Sequence, residues 1–407
     1  MRKHLLVPFL MCLLAFVAVG CGDDDESTTG GGATTTSSDG EASDPVNFTF
    51  IVDQAGPGGL YGKAVLEGAK LNVDRINGEG GANGHKLEME VVDSASDQAR
   101  GTAAITKAAS GDADAALYGP LSQSALAMAP IAQREKIPFI VSYSQVPEVT
   151  APGDYIYRTS TGEGDYYDGM VKYLSEQQGM KRMTVWYASD SATAVTNTEK
   201  TAPALAKKYG VEIVDNVSVK STDTDFSSSA SKIADQNPDG VMVLILGAGV
   251  NTAITALRRA GYEGVLFGSS ALGAGALAAS GPDAADTYYP SSILASDEVP
   301  WESGKAFLEL FKSKTGKDAS AFHAAGYDQI QMLAEAVEKV DGEVTRDSLH
   351  EALAQVKTAG FSGATGDPVK FDDNRIAVTP GLLVRWDGKK ETFAPDQPVP
   401  FFEGYGG

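Results

Sequence analysis

From Val46 onward, short continuously apolar runs alternate with stretches whose apolar positions recur every three to four residues. "FTFIVD" is rich in β-branched and aromatic residues, as a buried strand is. The following "GKAVLEGAKLNVDRIN" puts Val65, Ala69, Val73 and Ile76 on one helical face, with Lys63, Glu67, Lys70 and Asp74 largely elsewhere. "GEGGANG" ends that helix, and "KLEMEVVD" is the next strand. Residues 97–109 read as a helix. "AALYG" and "IPFIVS" are strands flanking a helix from about Ala125, in which Pro130 predicts a kink or a late start.

The rhythm then repeats. Helical patterns over 165–178, 196–209, 226–235 and 251–260 are interleaved with the runs "MTVWYAS", "VEIVDNVSV", "GVMVLIL" and "GVLFGS". Apolar strands without polar alternation, separated by helices, indicate parallel sheets covered on both faces. Two such series predict an α/β protein of two doubly wound lobes. Later the pattern becomes helical over 301–315, 320–340 and 345–355. It ends in "PVKFD" and "LLVRWDGKKETFA", where Asp387-Gly388 between two strand-like runs signals a hairpin.

The first 46 residues do not share this pattern. Arg2 and Lys3 precede the apolar stretch "LLVPFLMCLLAFVAV", which is too short and wrongly flanked for a stable membrane span. It ends in "AVGC", which resembles a bacterial lipoprotein signal over residues 1–20, with lipid joined to Cys21; Ala18 stands where that pattern prefers Leu. Residues 21–46 hold Gly, Ser, Thr and Asp with no apolar run, and are read as a flexible tether. Cys12 and Cys21 are the only cysteines, so the folded part can form no disulfide.

The formal net charge is −21; without Arg2 and Lys3, 31 basic residues face 54 acidic ones. Such a surface repels nucleic acid, and no basic stripe interrupts it. His85, His323 and His350 are scattered without a ligand partner at helical spacing, which argues against a metal site. No G-x-S-x-G elbow is present, so acyl transfer is poorly supplied. "GAGALA" fits G-x-G-x-x-A after a strand but lacks the acidic residue that would hold a ribose. No cofactor and no enzymatic activity are expected.

Polar residues at strand carboxyl ends remain, where open parallel sheets bind ligands. "DQAGPGGLYG" carries Tyr61, "YGPLSQSA" carries Ser122, Gln123 and Ser124, "VSYSQVPE" carries Tyr143, Ser144 and Gln145, and "FGSSALGAG" carries Ser269 and Ser270. Helix capping needs one serine of "SQS". A second hydroxyl and an amide beside it favour a ligand role, together with the free N–H groups of a helix start. For the tyrosines the competing reading is ordinary packing, and for Ser269 and Ser270 a plain turn.

These segments, in this order, resemble the leucine/branched-chain amino-acid-binding family, the type I substrate-binding proteins of ABC importers. The resemblance runs through "GPGGLYGKAVLEGAKLNVDRINGEGGANGHKLEMEVVD", "YGPLSQSALAMAPIAQREKIPFIVSYSQVPEVT" and "GYDQIQMLAEAVEKV", and spans nearly all of 47–395. It implies two lobes, 47–162 plus 297–380 and 163–296 plus 381–407, joined by a hinge around a ligand-binding cleft. It further implies a small-molecule ligand, an ABC permease as membrane partner, a monomer, and a place on the outer face of the cytoplasmic membrane. In such proteins the serine cluster and the next strand's loop hold a ligand carboxylate, which carries over to Ser122–Ser124 and Tyr143–Gln145. Tyr61 and Tyr327 match the family's aromatic positions. The second lobe departs from the pattern: Ser270 stands where amino-acid binders commonly place an acid for the ligand's ammonium. An aromatic or short organic acid, or an amide, therefore fits better than an amino acid. A sensor of the same fold that signals to a partner protein is the alternative function.

Overall fold

The computed structural model describes residues 43–394 except 145, 248, 274 and 295–298. The leader, the lipidation cysteine Cys21, most of the tether, Gln145 and the segment 395–407 lie outside the described residues.

The first sheet contains β1 (Val46–Val52), β2 (Leu87–Asp93), β3 (Ala115–Gly119), β4 (Phe139–Val141) and β5 (Ile156–Arg158). They pair in parallel in the order β2-β1-β3-β4-β5. Helices α1 (Gly59–Gly78), α2 (Gln98–Ser110) and α3 (Ser122–Arg134) connect the first four strands. Val65, Ala69, Val73 and Ile76 are all buried, so the apolar stripe of α1 is its core face. The "GEGGANG" segment closes α1 as expected, with Gly80, Gly81 and Gly84 at positive φ and Gly81 N donating to the Ile76 carbonyl. Helix α3 differs from expectation: it begins at Ser122 and runs through Pro130.

The second sheet is built from β6 (Arg182–Ala188), β7 (Glu212–Val219), β8 (Gly240–Leu244), β9 (Val265–Gly268) and β10 (Thr287–Ser291), with α4 (Glu163–Glu176), α5 (Ala192–Thr196), α6 (Ala202–Tyr209), α7 (Ser227–Gln236) and α8 (Gly249–Arg259). Every residue of β8 is buried between β6 and β9, which explains its unbroken apolar run. β10 is not legible in the sequence, because Pro290 lies inside it. It pairs in parallel with β9 and antiparallel with β14 (Leu382–Trp386). β14 in turn forms the expected hairpin with β15 (Glu391–Phe393), whose turn holds Gly388 at φ +95°.

Between β10 and β14 come α9 (Glu302–Thr315), α10 (Ala321–Glu338), α11 (Arg346–Ala359) and a small sheet of β11 (Phe361–Gly363), β12 (Gly366–Phe371) and β13 (Ala377–Val378). Helix α10 packs closely on α1. A Cβ on Gly326 would lie 1.9 Å from the Val65 carbonyl oxygen, and one on Gly68 1.9 Å from that of His323. Only glycine at both positions permits this approach. Asn72 of α1 adds a hydrogen bond of 2.8 Å to the Tyr327 carbonyl. An element from the last third of the chain is thus locked to the first sheet's side, and the chain crosses to the second sheet again for β14.

Candidate functional site

A cavity of about 340 Å³ lies between the carboxyl ends of the two sheets. Asp53, which follows β1, is not part of the lining but anchors the loops on the first side. This fully buried carboxylate accepts hydrogen bonds from Ser94 Oγ (2.6 Å), Ser96 N (2.9 Å) and Tyr118 Oη (3.1 Å). The ends of β1, β2 and β3 are thereby tied together. Burial raises the Asp53 pKa against the pull of those donors. Ser96 Oγ then accepts from Gly58 N, fixing the glycine-rich loop that leads into Tyr61.

One wall is aromatic. Phe322, in the first turn of α10, stacks on Tyr143 with ring centroids 3.9 Å apart, and on Tyr61 at 4.8 Å. All three rings line the cavity. The close contact of α1 with α10 brings Phe322 to Tyr61. Tyr143 adopts φ +53°, a costly conformation for a non-glycine residue, and its N–H donates to Ser160 Oγ at 3.0 Å.

The remaining lining is rich in hydroxyls and amides. Ser122, Gln123 and Ser124 form the first turn of α3 and line the cavity. They do not cap the helix: Leu121 occupies the cap position and no side chain accepts there. From the second sheet come Ser191 and Thr193 after β6, Ser221 after β7, and Ser270 after β9. Ser269 accepts from Ala271 N, so it holds the turn while Ser270 also faces the cavity.

Hydrogen bonds between described residues join the two sides at this cavity. Ser122 Oγ lies 2.8 Å from Thr193 Oγ1, Gln123 Oε1 accepts from Ala192 N at 3.2 Å, and Tyr61 Oη accepts from Gly247 N at 2.7 Å. A second cavity of about 20 Å³ shares Tyr143 and Ser270 with the first. Its other walls include Thr161, Tyr166 and Thr379, joined by hydrogen bonds of 2.9 Å (Thr161 to Thr379) and 2.6 Å (Tyr166 to Thr379).

The expected site residues therefore divide. Tyr61, Ser122, Gln123, Ser124, Tyr143 and Ser270 meet at one cavity. Tyr327 does not: it packs on Phe307 (5.0 Å) and lies under the Arg75 guanidinium (5.8 Å). It lies five positions along α10 from Phe322, which places it about 140° around the helix. Ser144 is fully buried and is not part of the lining; its Oγ has no hydrogen-bond partner among the described residues. Gln145 lies outside the described residues.

Phe322, Thr193 and Asp190 were missed. Asp190 and Thr193 follow a strand, and the carboxyl-end rule applied to β6 would have found them. Phe322 carried no such signal. Asp190 accepts hydrogen bonds from Ser221 N (2.9 Å) and Ser221 Oγ (2.8 Å). Partial burial works to raise its carboxyl, but these bonds outweigh it and hold the group below the ordinary range.

The three histidines are far apart in role. His85 Nδ1 contacts the Asp44 carbonyl, His323 completes the capping box of α10, and His350 stacks on Tyr155 at 3.9 Å. Among the described residues no group of three or more His, Cys, Asp or Glu is arranged to hold a metal ion, and no helix is long and apolar enough to cross a membrane.

Residues 45–391 match the family described as periplasmic binding protein. The chain is 24% identical over 341 residues to the leucine-, isoleucine-, valine-, threonine- and alanine-binding protein of Pseudomonas aeruginosa, covering 82% of this chain and 87% of that one. It superposes on a leucine-binding protein from Thermotoga maritima with a TM-score of 0.78 at 22% identity, covering 86% of this chain and 97% of the other. It also superposes on an ABC-transporter solute-binding protein from R. palustris in complex with benzoate, with a TM-score of 0.76 at 23% identity and coverages of 86% and 95%.

Proposed function

Because the chain belongs to the periplasmic binding protein family, we propose that it is the extracytoplasmic receptor of an ABC importer for a small organic solute with a carboxylate or amide end and an apolar or aromatic body. The observation that carries this reading is the cavity itself. It joins an aromatic wall of Tyr61, Phe322 and Tyr143 to hydroxyls and amides from both sheets, and it is bridged by Ser122, Gln123 and Tyr61. Flat stacking surfaces take the ligand body, and the first turn of α3 supplies N–H and O–H donors to its oxygen atoms. The relatives whose names or bound molecules are leucine and benzoate support a ligand of this size.

In this reading the lobes are 47–162 plus 297–380 and 163–296 plus 381–407. The packing of α10 on α1 and the pairing of β14 with β10 support that division. Closure of the lobes makes the bridging hydrogen bonds and presents the closed form to a permease. Cys21 carries a lipid anchor and the following segment tethers the receptor to the outer face of the cytoplasmic membrane.

A thermal-shift screen of amino acids, aromatic acids and amides tests the reading, with a stabilised unfolding transition expected for at least one class. Ser122→Ala should weaken the best ligand by about 1–3 kcal/mol. No stabilisation by any member would refute the receptor reading. Cys21→Ala should release the chain from membranes, and retention would refute the anchor.

A further inference from the structure

We infer that Thr161, Tyr166 and Thr379 form the pivot on which the receptor closes, and that their hydroxyls set its affinity without touching the ligand. This rests on the receptor reading with its two lobes and deepens it. In that division the chain crosses between the lobes after β5, after β10 and before β14. Described residues of all these crossings converge on the small cavity of about 20 Å³: Thr161 from the first, Ser291 and Ser292 from the second, and Thr379 from the third. Neither they nor Tyr166 line the main cavity.

The first and third crossings run side by side. Arg158 pairs in parallel with Ile376, and its N–H donates to the Arg375 carbonyl at 2.9 Å. Three residues further on, a side chain takes over the pairing. Thr161 Oγ1 accepts from Thr379 N at 2.5 Å and donates to the Ala377 carbonyl at 3.0 Å. Tyr166, on α4 of the second lobe, extends the chain. Donation can run in one direction throughout, from Tyr166 Oη to Thr379 Oγ1 (2.6 Å), then to Thr161 Oγ1 (2.9 Å), then to Ala377. All three hydroxyl residues are buried.

A peptide ladder holds two strands in fixed register, because its donors and acceptors belong to planar units. A hydroxyl turns about its own side-chain torsions, so the backbone beneath it is free to rotate as a hinge must. The small cavity has the volume for about one water, which bridges the hydroxyls when opening draws them apart. The direct bonds belong to the closed form, which the bonds of Ser122 to Thr193 and Tyr61 to Gly247 identify as the form described. Tyr143 connects the pivot to the ligand. It lines both cavities, and its N–H donates to Ser160 Oγ, next to Thr161. Loss of a pivot hydroxyl therefore disfavours the closed form, and does so alike for every ligand.

The test is isothermal titration of the full-length chain in detergent with L-leucine, L-phenylalanine, benzoate and benzamide. Thr379→Val keeps the branched shape and Tyr166→Phe keeps the ring, and each removes one hydroxyl. Both should raise the Kd of every probe that the native chain binds, by one common factor of about 3–10. Thr379→Ser retains the hydroxyl and should stay within about twofold of the native chain. A merely structural role would lower the unfolding midpoint and leave Kd alone. An unchanged Kd in Thr379→Val or Tyr166→Phe, a factor that differs from probe to probe, or a Thr379→Ser no better than Thr379→Val overturns the inference and leaves the receptor reading standing. If the native chain binds none of these probes and no other amino acid, aromatic acid or amide, the receptor reading falls and the inference falls with it.

Discussion

Replacing Gly326 with alanine tests how the late helix α10 is held against α1. The added Cβ would sit 1.9 Å from the Val65 carbonyl oxygen, and real Cβ atoms essentially never come within 3.0 Å of such an atom. The two helices must therefore separate by at least about 1 Å at this point. A gap of that size forfeits about a quarter to a half of each dispersion contact it opens. Those contacts involve Val65, Ala69 and Val73 on α1, all buried. Overpacking of a close-packed interface costs about 1–3 kcal/mol and sometimes more. Against this, alanine in place of glycine inside a helix gains about 1 kcal/mol. We expect the upper end of the overpacking cost, and so a net loss of about 2 kcal/mol, because the clash is with backbone on both sides and neither helix can yield by a rotamer change. Gly78→Ala is the control. No atom lies within 4 Å of its added Cβ, so it should be neutral or stabilising by up to about 1 kcal/mol. Urea unfolding followed by far-ultraviolet circular dichroism measures both. Equal stability of Gly326→Ala and the native chain would refute the claim that glycine sets the helix spacing.

Tyr61→Phe removes the acceptor of the Gly247 N–H and should weaken binding of the best ligand by about 1–3 kcal/mol, read by titration calorimetry; an unchanged Kd would deny the bond a role in closure. Phe322→Leu keeps an apolar side chain but loses the stacks on Tyr61 and Tyr143. It should destabilise the chain by about 1–2 kcal/mol in scanning calorimetry and weaken aromatic ligands more than aliphatic ones. Burial lowers His323 from 6.5 to about 4. The unfolded chain then takes up a proton first, so stability should fall as pH drops from about 6.5 to about 4, and His323→Asn should flatten that slope in denaturant titrations. Asp328 acts in the opposite sense. Burial pushes it from 3.8 to about 7 against the donors Thr365 Oγ1 and the Ala364 and Thr365 N–H groups, so its contribution should rise as pH falls through that window and vanish in Asp328→Asn.

Local chemistry was enough to determine the class of fold. Period-two and period-3.6 patterns depend on neighbours a few residues apart, and so the apolar stripe of α1, the buried run of β8 and the Asp387-Gly388 hairpin were all legible. The rule that ligands gather at strand carboxyl ends selected Tyr61, Ser122 and Tyr143 for the same reason. Where local rules competed, the tertiary structure decided. Pro290 signals a break, yet β10 forms because β9 and β14 flank it and supply its pairing. The serines at 122 and 124 suit a helix cap, yet they face the cavity. Selection among aromatics on α10 was beyond the sequence altogether. Phe322 and Tyr327 lie on different faces of one helix, and only the glycine-mediated contact with α1 determines which face meets the cavity. Asp190 shows the same limit from the other side. Its type and its strand-end position were readable, but its place beside Ser122 and Gln123 depends on residues about 70 positions away closing over it. Side-chain character is a local property of the chain, whereas juxtaposition across the cavity is a property of the packed whole.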